Sequence, residues 1–236
     1  MRRGSKGLTG RPLPGGALLG ILFSLTLTAA CASSRRAAAR FAPASDVQAR
    51  EALEAWSAIR RRTDALPPSR LLYDAKMSGK ASPAVPGTLA VTYDGSDVTR
   101  ASLAGPFGRT VAEYANGTIT GGGKEPFPVD PRVLRSVLAG TWPTDPARVE
   151  GCDGAECVLA FEGQIRASAV VDRAAARLVS LRVTGDAGAL SATYGGVGAS
   201  DWPETVAIEQ EGAARRISLK LVAAEPLAPA PGGPGS

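Results

Sequence analysis

The sequence predicts a mainly β (α+β) protein. It would be a single antiparallel curved sheet, or half-open barrel, of about eleven strands, with an N-terminal helix and a short mid-chain helix as lid. Three observations predict it. Apolar and polar side chains alternate through most of residues 70–221, the period of a half-buried strand. Turn signals (Asp94-Gly95, Asn116-Gly117, Asp153-Gly154, Gly185 to Gly188, Gly212) separate the runs. Helical spacing is confined to two stretches. A sheet of so many strands must curl or close, and its apolar face then needs a cover.

The first helix starts after a cap at Ser45 or Asp46 and runs to about Thr63, with Ala49, Ala52, Leu53, Trp56 and Ile59 as its apolar stripe. Pro67 and Pro68 prevent its continuation. The strands that follow place Leu71, Tyr73, Ala75 and Met77 on one face, then Leu89, Val91 and Tyr93. "VTRASLA" and "RTVAEY" alternate less cleanly. Residues 128–143, "PVDPRVLRSVLAGTWP", interrupt the pattern with a helix. Asp130 is its N-cap, Pro131 its first position and Gly140 its C-cap, with Val133, Leu134, Val137 and Leu138 as the stripe. Later strand runs are Val158 to Phe161, Ile165 to Val171, Val179/Leu181/Val183, Leu190/Ala192/Tyr194, Val206/Ile208 and Ile217/Leu219/Leu221.

Residues 1–16 carry Arg2, Arg3, Lys6 and Arg11 and no acid, and Ala17 to Leu27 is apolar apart from Ser24 and Thr26. This is the pattern of a secretory signal peptide. "LTAAC" at 27–31 resembles the bacterial lipobox, although Thr28 stands where that motif usually has leucine. The resemblance implies a mature protein beginning at lipidated Cys31. Cleavage at an A-x-A site near Ala30 or Ala32 would instead leave Cys31 incidental. An uncleaved anchor falls short of the ~20 residues that span a bilayer. The expected organisation is a signal peptide at 1–30, a lipidated cysteine and flexible tether at 31–44, a domain at 45–225 and a Pro/Gly-rich disordered tail at 226–236.

The chain has 27 basic and 22 acidic side chains, but seven of the basic ones lie in the leader and tether. The domain is therefore slightly acidic, and nucleic acid is not an expected partner. Arg35, Arg36 and Arg40 suit anionic headgroups beside an anchor or are solvated linker charges. Cys152 and Cys157 flank "DGAE", a turn that brings them within disulfide reach in an oxidising compartment.

The chain has no histidine, which excludes a His-based triad and any His metal site. G-x-S-x-G and S-x-x-K are absent, and "TGGGKE" at 120–125 lacks the spacing and hydroxyl of a phosphate loop. No carboxylate pair stands out. The expectation is a binding protein, not an enzyme, with no cofactor and no metal. The inward side chains are mostly Ala, Val, Leu and Ile, which leaves room for a ligand or collapses into a filled core.

Three segments together resemble the LolB family of outer-membrane lipoprotein receptors. "LAGPFGRTVAEYANG" (103–117) is similar to a hairpin of that family and "PRVLRSVLAGTWP" (131–143) to the helix after it. "LSATYGGVGASDWPETVAIEQEGAARRISLKL" (190–221) is similar to the family's closing strands. The resemblance implies a half-barrel of about eleven strands with a helical lid, shared with the soluble carrier LolA. It implies acyl chains of lipoproteins or lipids as cargo and a LolA-like carrier as partner. It also implies a place at the outer membrane, facing the periplasm and held by the lipid anchor. On this reading the cavity lining comprises Trp56, Ile59, Leu89, Val91, Tyr93, Leu103 and Val111 from the first half. Leu134, Leu138, Phe161, Val183, Tyr194, Ile208 and Leu219 complete it. Phe107 in "GPFG" corresponds to the apolar side chain that enters the membrane; alternatively it folds back onto the core. The other reading of the whole chain is a structural or interaction lipoprotein of the envelope with a filled core.

Overall fold

The computed structural model describes residues 41–79, 82–115, 117–120, 131–185, 188–197, 200–211 and 215–227. The expected leader, Cys31, Asp130, most of the 120–125 loop and the tail from 228 lie outside these residues. The compact unit begins at Ala42.

Helix α1 spans Asp46–Asp64. Ser45 and Gln48 form a capping box: the Ser45 hydroxyl accepts from the Gln48 N–H, and the Gln48 side chain accepts from the Ser45 N–H. Its inner face is Ala52, Ala55, Trp56, Ile59 and Thr63. Leu53, expected in the stripe, points outward and is exposed. The helix is seated on positions 52, 56, 59 and 63, and Leu53 lies about 100° around from 52.

Twelve antiparallel strands then form one sheet. They are β1 (Ser69–Gly79), β2 (Ser82–Tyr93), β3 (Val98–Ala104), β4 (Thr110–Ala115), β5 (Thr118–Thr120), β6 (Arg148–Asp153), β7 (Glu156–Phe161), β8 (Arg166–Asp172), β9 (Arg177–Gly185), β10 (Gly188–Val197), β11 (Pro203–Gln210) and β12 (Arg215–Pro226). The order is β5-β4-β3-β2-β1-β12-β11-β10-β9-β8-β7-β6. Every strand pairs with its sequence neighbour except at β5 and β6, and the meander joins itself where β1 pairs with β12. The sheet is not closed. Its two edges are β5 and β6, and the segment between them carries helix α2, Pro131–Ala139.

Alternation missed the three-residue β5 and also β6, "RVEGCD". β6 is an edge strand with a register shift between Val149 and Gly151, so its apolar side chains do not hold period two. Ala42 pairs with Cys152 and covers part of that edge. The Cys152–Cys157 disulfide is present and joins directly opposite residues of β6 and β7. The turn it closes is the two-residue Gly154-Ala155, tighter than the four-residue "DGAE" loop.

Two further inward assignments are corrected by register. Val111 is exposed, because Ala112 and Tyr114 take the inner face of β4 and its neighbour must take the other. In β9 a register shift opposite Val170/Val171 turns Leu178 inward instead of Val179.

Candidate functional site

The concave face of the sheet and the two helices bury one continuous apolar cluster. From α1 come Trp56 and Ile59, and from α2 Leu134 and Leu138. The sheet adds Leu89, Val91, Tyr93, Leu103, Phe161, Val183, Ile208 and Leu219, all buried. Tyr194 is half-buried and packs against the same cluster. Of the fourteen residues expected to line the face, Val111 alone points away from it. Sequence alternation did not single out Trp142 and Trp202 for this cluster. Trp202 meets Tyr93 edge-on at 5.3 Å, and Trp142 lies 6.4 Å from Phe161. Both tryptophans precede a proline outside the regular strand pattern, so no periodicity marked them.

The two helices cover different strands. α1 touches β6 to β9, and Trp56 packs on Phe161 with ring centroids 4.9 Å apart. Around this buried face, polar contacts tie it down at the surface. Arg60 pairs with Asp145 at 2.7 Å, Glu51 pairs with Arg173, and Arg62 donates to the Ala176 carbonyl at 3.3 Å. An open groove of ≈610 Å³ lies between α1 and the β6–β7 and β8–β9 turns, lined by Ala55, Ala58, Ala155, Ala174 and Ala176 beside Glu51, Glu54 and Arg173.

α2 is set more firmly. Val133, Leu134, Val137 and Leu138 are all buried, and the Tyr194 hydroxyl donates to the Val137 carbonyl at 3.0 Å. Gly140 ends the helix at φ +66, the left-handed conformation that favours glycine there. Arg135 bridges the helices: it lies 3.5 Å from Asp64 at the end of α1, and its guanidinium carbon sits 5.9 Å from the Tyr93 ring centroid.

Burial pushes the Tyr73 hydroxyl pKa up, and burial followed by the nearby Tyr73 does the same to Tyr194. Both therefore stay neutral through the physiological range. Among the described residues no group of His, Cys, Asp and Glu could hold a metal ion, and no helix is long and apolar enough to cross a membrane.

Phe107 occupies the β3–β4 turn at φ 64 with a fully exposed side chain. It does not fold back onto the core. On the convex face a groove of ≈310 Å³ is floored by Leu72, Ala90 and Ala223 between Arg70, Arg100 and Glu225.

The architecture thus defines a class: one uncurtailed antiparallel meander, unclosed, with an apolar concave face under two separate helices. No family model and no curated protein matches the chain. Among solved structures it is similar to a LolA superfamily protein from Nitrosomonas europaea, with TM-score 0.54 and 11% identity over 74% of this chain and 94% of that one. It also resembles an outer membrane lipoprotein-sorting protein domain from Vibrio parahaemolyticus (TM-score 0.49, 12% identity, 73% and 91% covered). A DUF1329 family protein from Desulfovibrio piger gives TM-score 0.44 and 10% identity over 73% and 91%. The first likeness shows a LolA-like fold, and the two weaker ones carry no argument.

Proposed function

We propose that this chain is a membrane-anchored envelope lipoprotein of the LolB kind. It accepts acyl chains of lipoproteins or lipids from a soluble LolA-like carrier and delivers them to the outer membrane. The observation that carries this reading is the seating of α1. A helix whose buried face is Trp56, Ile59, two alanines and Thr63, edged by surface ion pairs, over an apolar concave face that no strand closes, is a cover that can be exchanged for a ligand. Each buried CH₂ is worth about 0.8 kcal/mol, so shielding one long acyl chain from water is worth on the order of ten kcal/mol. That task needs an apolar wall and no covalent step, and the protein acts as a binder and not as an enzyme. Cys31 supplies the anchor on the periplasmic side of the outer membrane, with Phe107 as the side chain that enters the bilayer.

The test is native mass spectrometry of the full chain produced in a bacterial periplasm. Bound acyl lipid, or uptake of an added acylated peptide, is the expected result. Protein that is empty and takes up nothing overturns the reading. For Phe107, Phe107→Glu should slow transfer of bound acylated peptide to liposomes without weakening its binding; an unchanged transfer rate removes this side chain from the mechanism.

The interaction-lipoprotein reading is favoured by one observation. The inward side chains are closely packed, with Tyr73, Val137, Leu138, Leu159 and Leu181 at 0% exposure, while the convex face offers an apolar groove. The same mass measurement separates the two.

A further inference from the structure

An open recess of ≈830 Å³ lies over β6 to β9, on the side of the sheet away from the helices. Strand pairing builds it. Arg148 of β6 is opposite Ala160 of β7, Ala160 is opposite Ser168 of β8, and Ser168 is opposite Arg182 of β9. Their chain neighbours Phe161, Ala169 and Val183 turn into the buried cluster, so this row faces outward. Its two arginines stand three strand spacings apart, about 14 Å, with only small side chains between them. Ala160 is buried there although it faces outward. Arg166 is two residues before Ser168 on the same face, opposite Thr184.

The charges of the recess balance in sum but not in place. Arg148 lies 2.7 Å from Glu162 and 3.0 Å from Glu150, so two carboxylates share one guanidinium. Arg182 is matched by Glu211 at 2.9 Å. Arg166 has no ion-pair or hydrogen-bond partner among the described residues. Glu162 follows directly on the Phe161–Ala167 pair, across the turn from Arg166, yet it is taken by Arg148. The recess is therefore dipolar: excess carboxylate around Arg148, and an uncompensated cation at Arg166 beside the Ser168 and Thr184 hydroxyls.

A simple anion would gain Arg166 and meet repulsion from Glu162; a simple cation would meet the reverse. A group that carries a phosphate and an ammonium a few ångströms apart satisfies both poles. A primary ammonium has N–H donors for the carboxylates, and a quaternary one has none. The position of the recess points to a bilayer as the source. Its β7–β8 turn and the β3–β4 turn lie at the same end of the antiparallel sheet, and Phe107 stands fully exposed on the latter. An exposed ring and a polar head-group recess on one rim are what a membrane surface covers together.

We propose that this outer recess holds the head group of a phosphoethanolamine lipid, with its phosphate on Arg166 and its ammonium on Glu162 and Glu150. The site is separate from the concave face and does not depend on what fills that face.

The test is native mass spectrometry of the full chain in dodecylmaltoside micelles. The micelles are doped with equal amounts of dipalmitoyl phosphatidylethanolamine, phosphatidylcholine and phosphatidylglycerol, whose acyl chains are identical. Wild type should retain the ethanolamine lipid at least about fivefold over the other two, the size of one hydrogen bond. Arg166→Gln should lower the ethanolamine lipid to the level of the others, and Glu162→Gln should raise the glycerol lipid to match it. Arg166→Gln breaks no ion pair and should melt with wild type, so its effect is not a loss of folding. Glycerophosphoethanolamine, the head group without chains, should abolish the preference when added in excess, and glycerol phosphate should not. Equal retention of the three lipids, a preference for the glycerol lipid, a preference that either variant leaves intact, or a preference that glycerophosphoethanolamine does not remove overturns the proposal. Equal retention leaves the carrier reading standing, whereas retention of no lipid at all overturns both.

Discussion

The two helices cover the same concave face by different physical means. α2 is nine residues long and buries four consecutive-turn aliphatic side chains, a hydrogen-bonded carbonyl and a glycine stop. α1 is nineteen residues long and buries one tryptophan, one isoleucine, two alanines and a threonine. Fully burying an aliphatic side chain is worth about 1.5–3 kcal/mol, and a surface ion pair only about 0–1 kcal/mol. The longer helix is therefore the more weakly held per turn. Helix length says little about which cover is permanent; what its inner face buries decides that.

The largest effect that tests this contrast is in α2. Leu138→Ala should destabilise the whole domain by about 2–5 kcal/mol, read by urea unfolding. Hydrogen exchange in the parent should place α1 amides in a lower-energy opening than α2 amides; equal protection would remove the contrast. Next, Tyr194→Phe removes the bond to the Val137 carbonyl and should cost about 0.5–1.5 kcal/mol by thermal melting.

Breaking the α1 ion pairs is smaller. Asp145→Asn and Glu51→Gln should each cost about 0.2–1 kcal/mol, and the loss should shrink with added salt. The readout that matters is exchange in α1, which should accelerate while α2 stays unchanged.

The smallest effect is acid sensitivity at the β8–β9 turn, which receives Arg62 and, through its own Arg173, Glu51 of α1. The Ala175 N–H donates to the Asp172 carboxyl and, with the Arg177 guanidinium and the Ala174 N–H, holds its pKa below the ordinary carboxylate value. A pKa depressed in the folded state contributes stability above the unfolded value of about 4, lost as pH falls through the folded one. Exchange in α1 should therefore rise below about pH 4, and Asp172→Asn should flatten that dependence.

The elements were legible wherever one face of a regular element is buried. Ser45 to Thr63, Pro131 to Gly140 and the alternation from Leu71 to Leu219 announce themselves through period and caps. Legibility failed where a register shift or an edge breaks the period. β6 has Gly151 within it, Leu178 replaces Val179, and Val111 sits beside a turn where alternation could be started on either residue. The candidate site was legible as a set of inward side chains, with Val111 the exception. The outer recess was not, because Arg148, Ala160, Ser168 and Arg182 become neighbours only through the pairing of four strands.

By itself the sequence determined the fold class, the open meander's elements, the hairpin disulfide and the absence of histidine chemistry, since periodicity, caps and composition are local properties. Only the tertiary structure decided that β1 and β12 join the meander and that α1 covers β6 to β9 while α2 is tied to Tyr194 of β10. It alone set Arg148, Ser168 and Arg182 in one row and left Phe107 in solvent. Each of these depends on which distant residue lies opposite, and register and curvature set that across strands far apart in the chain.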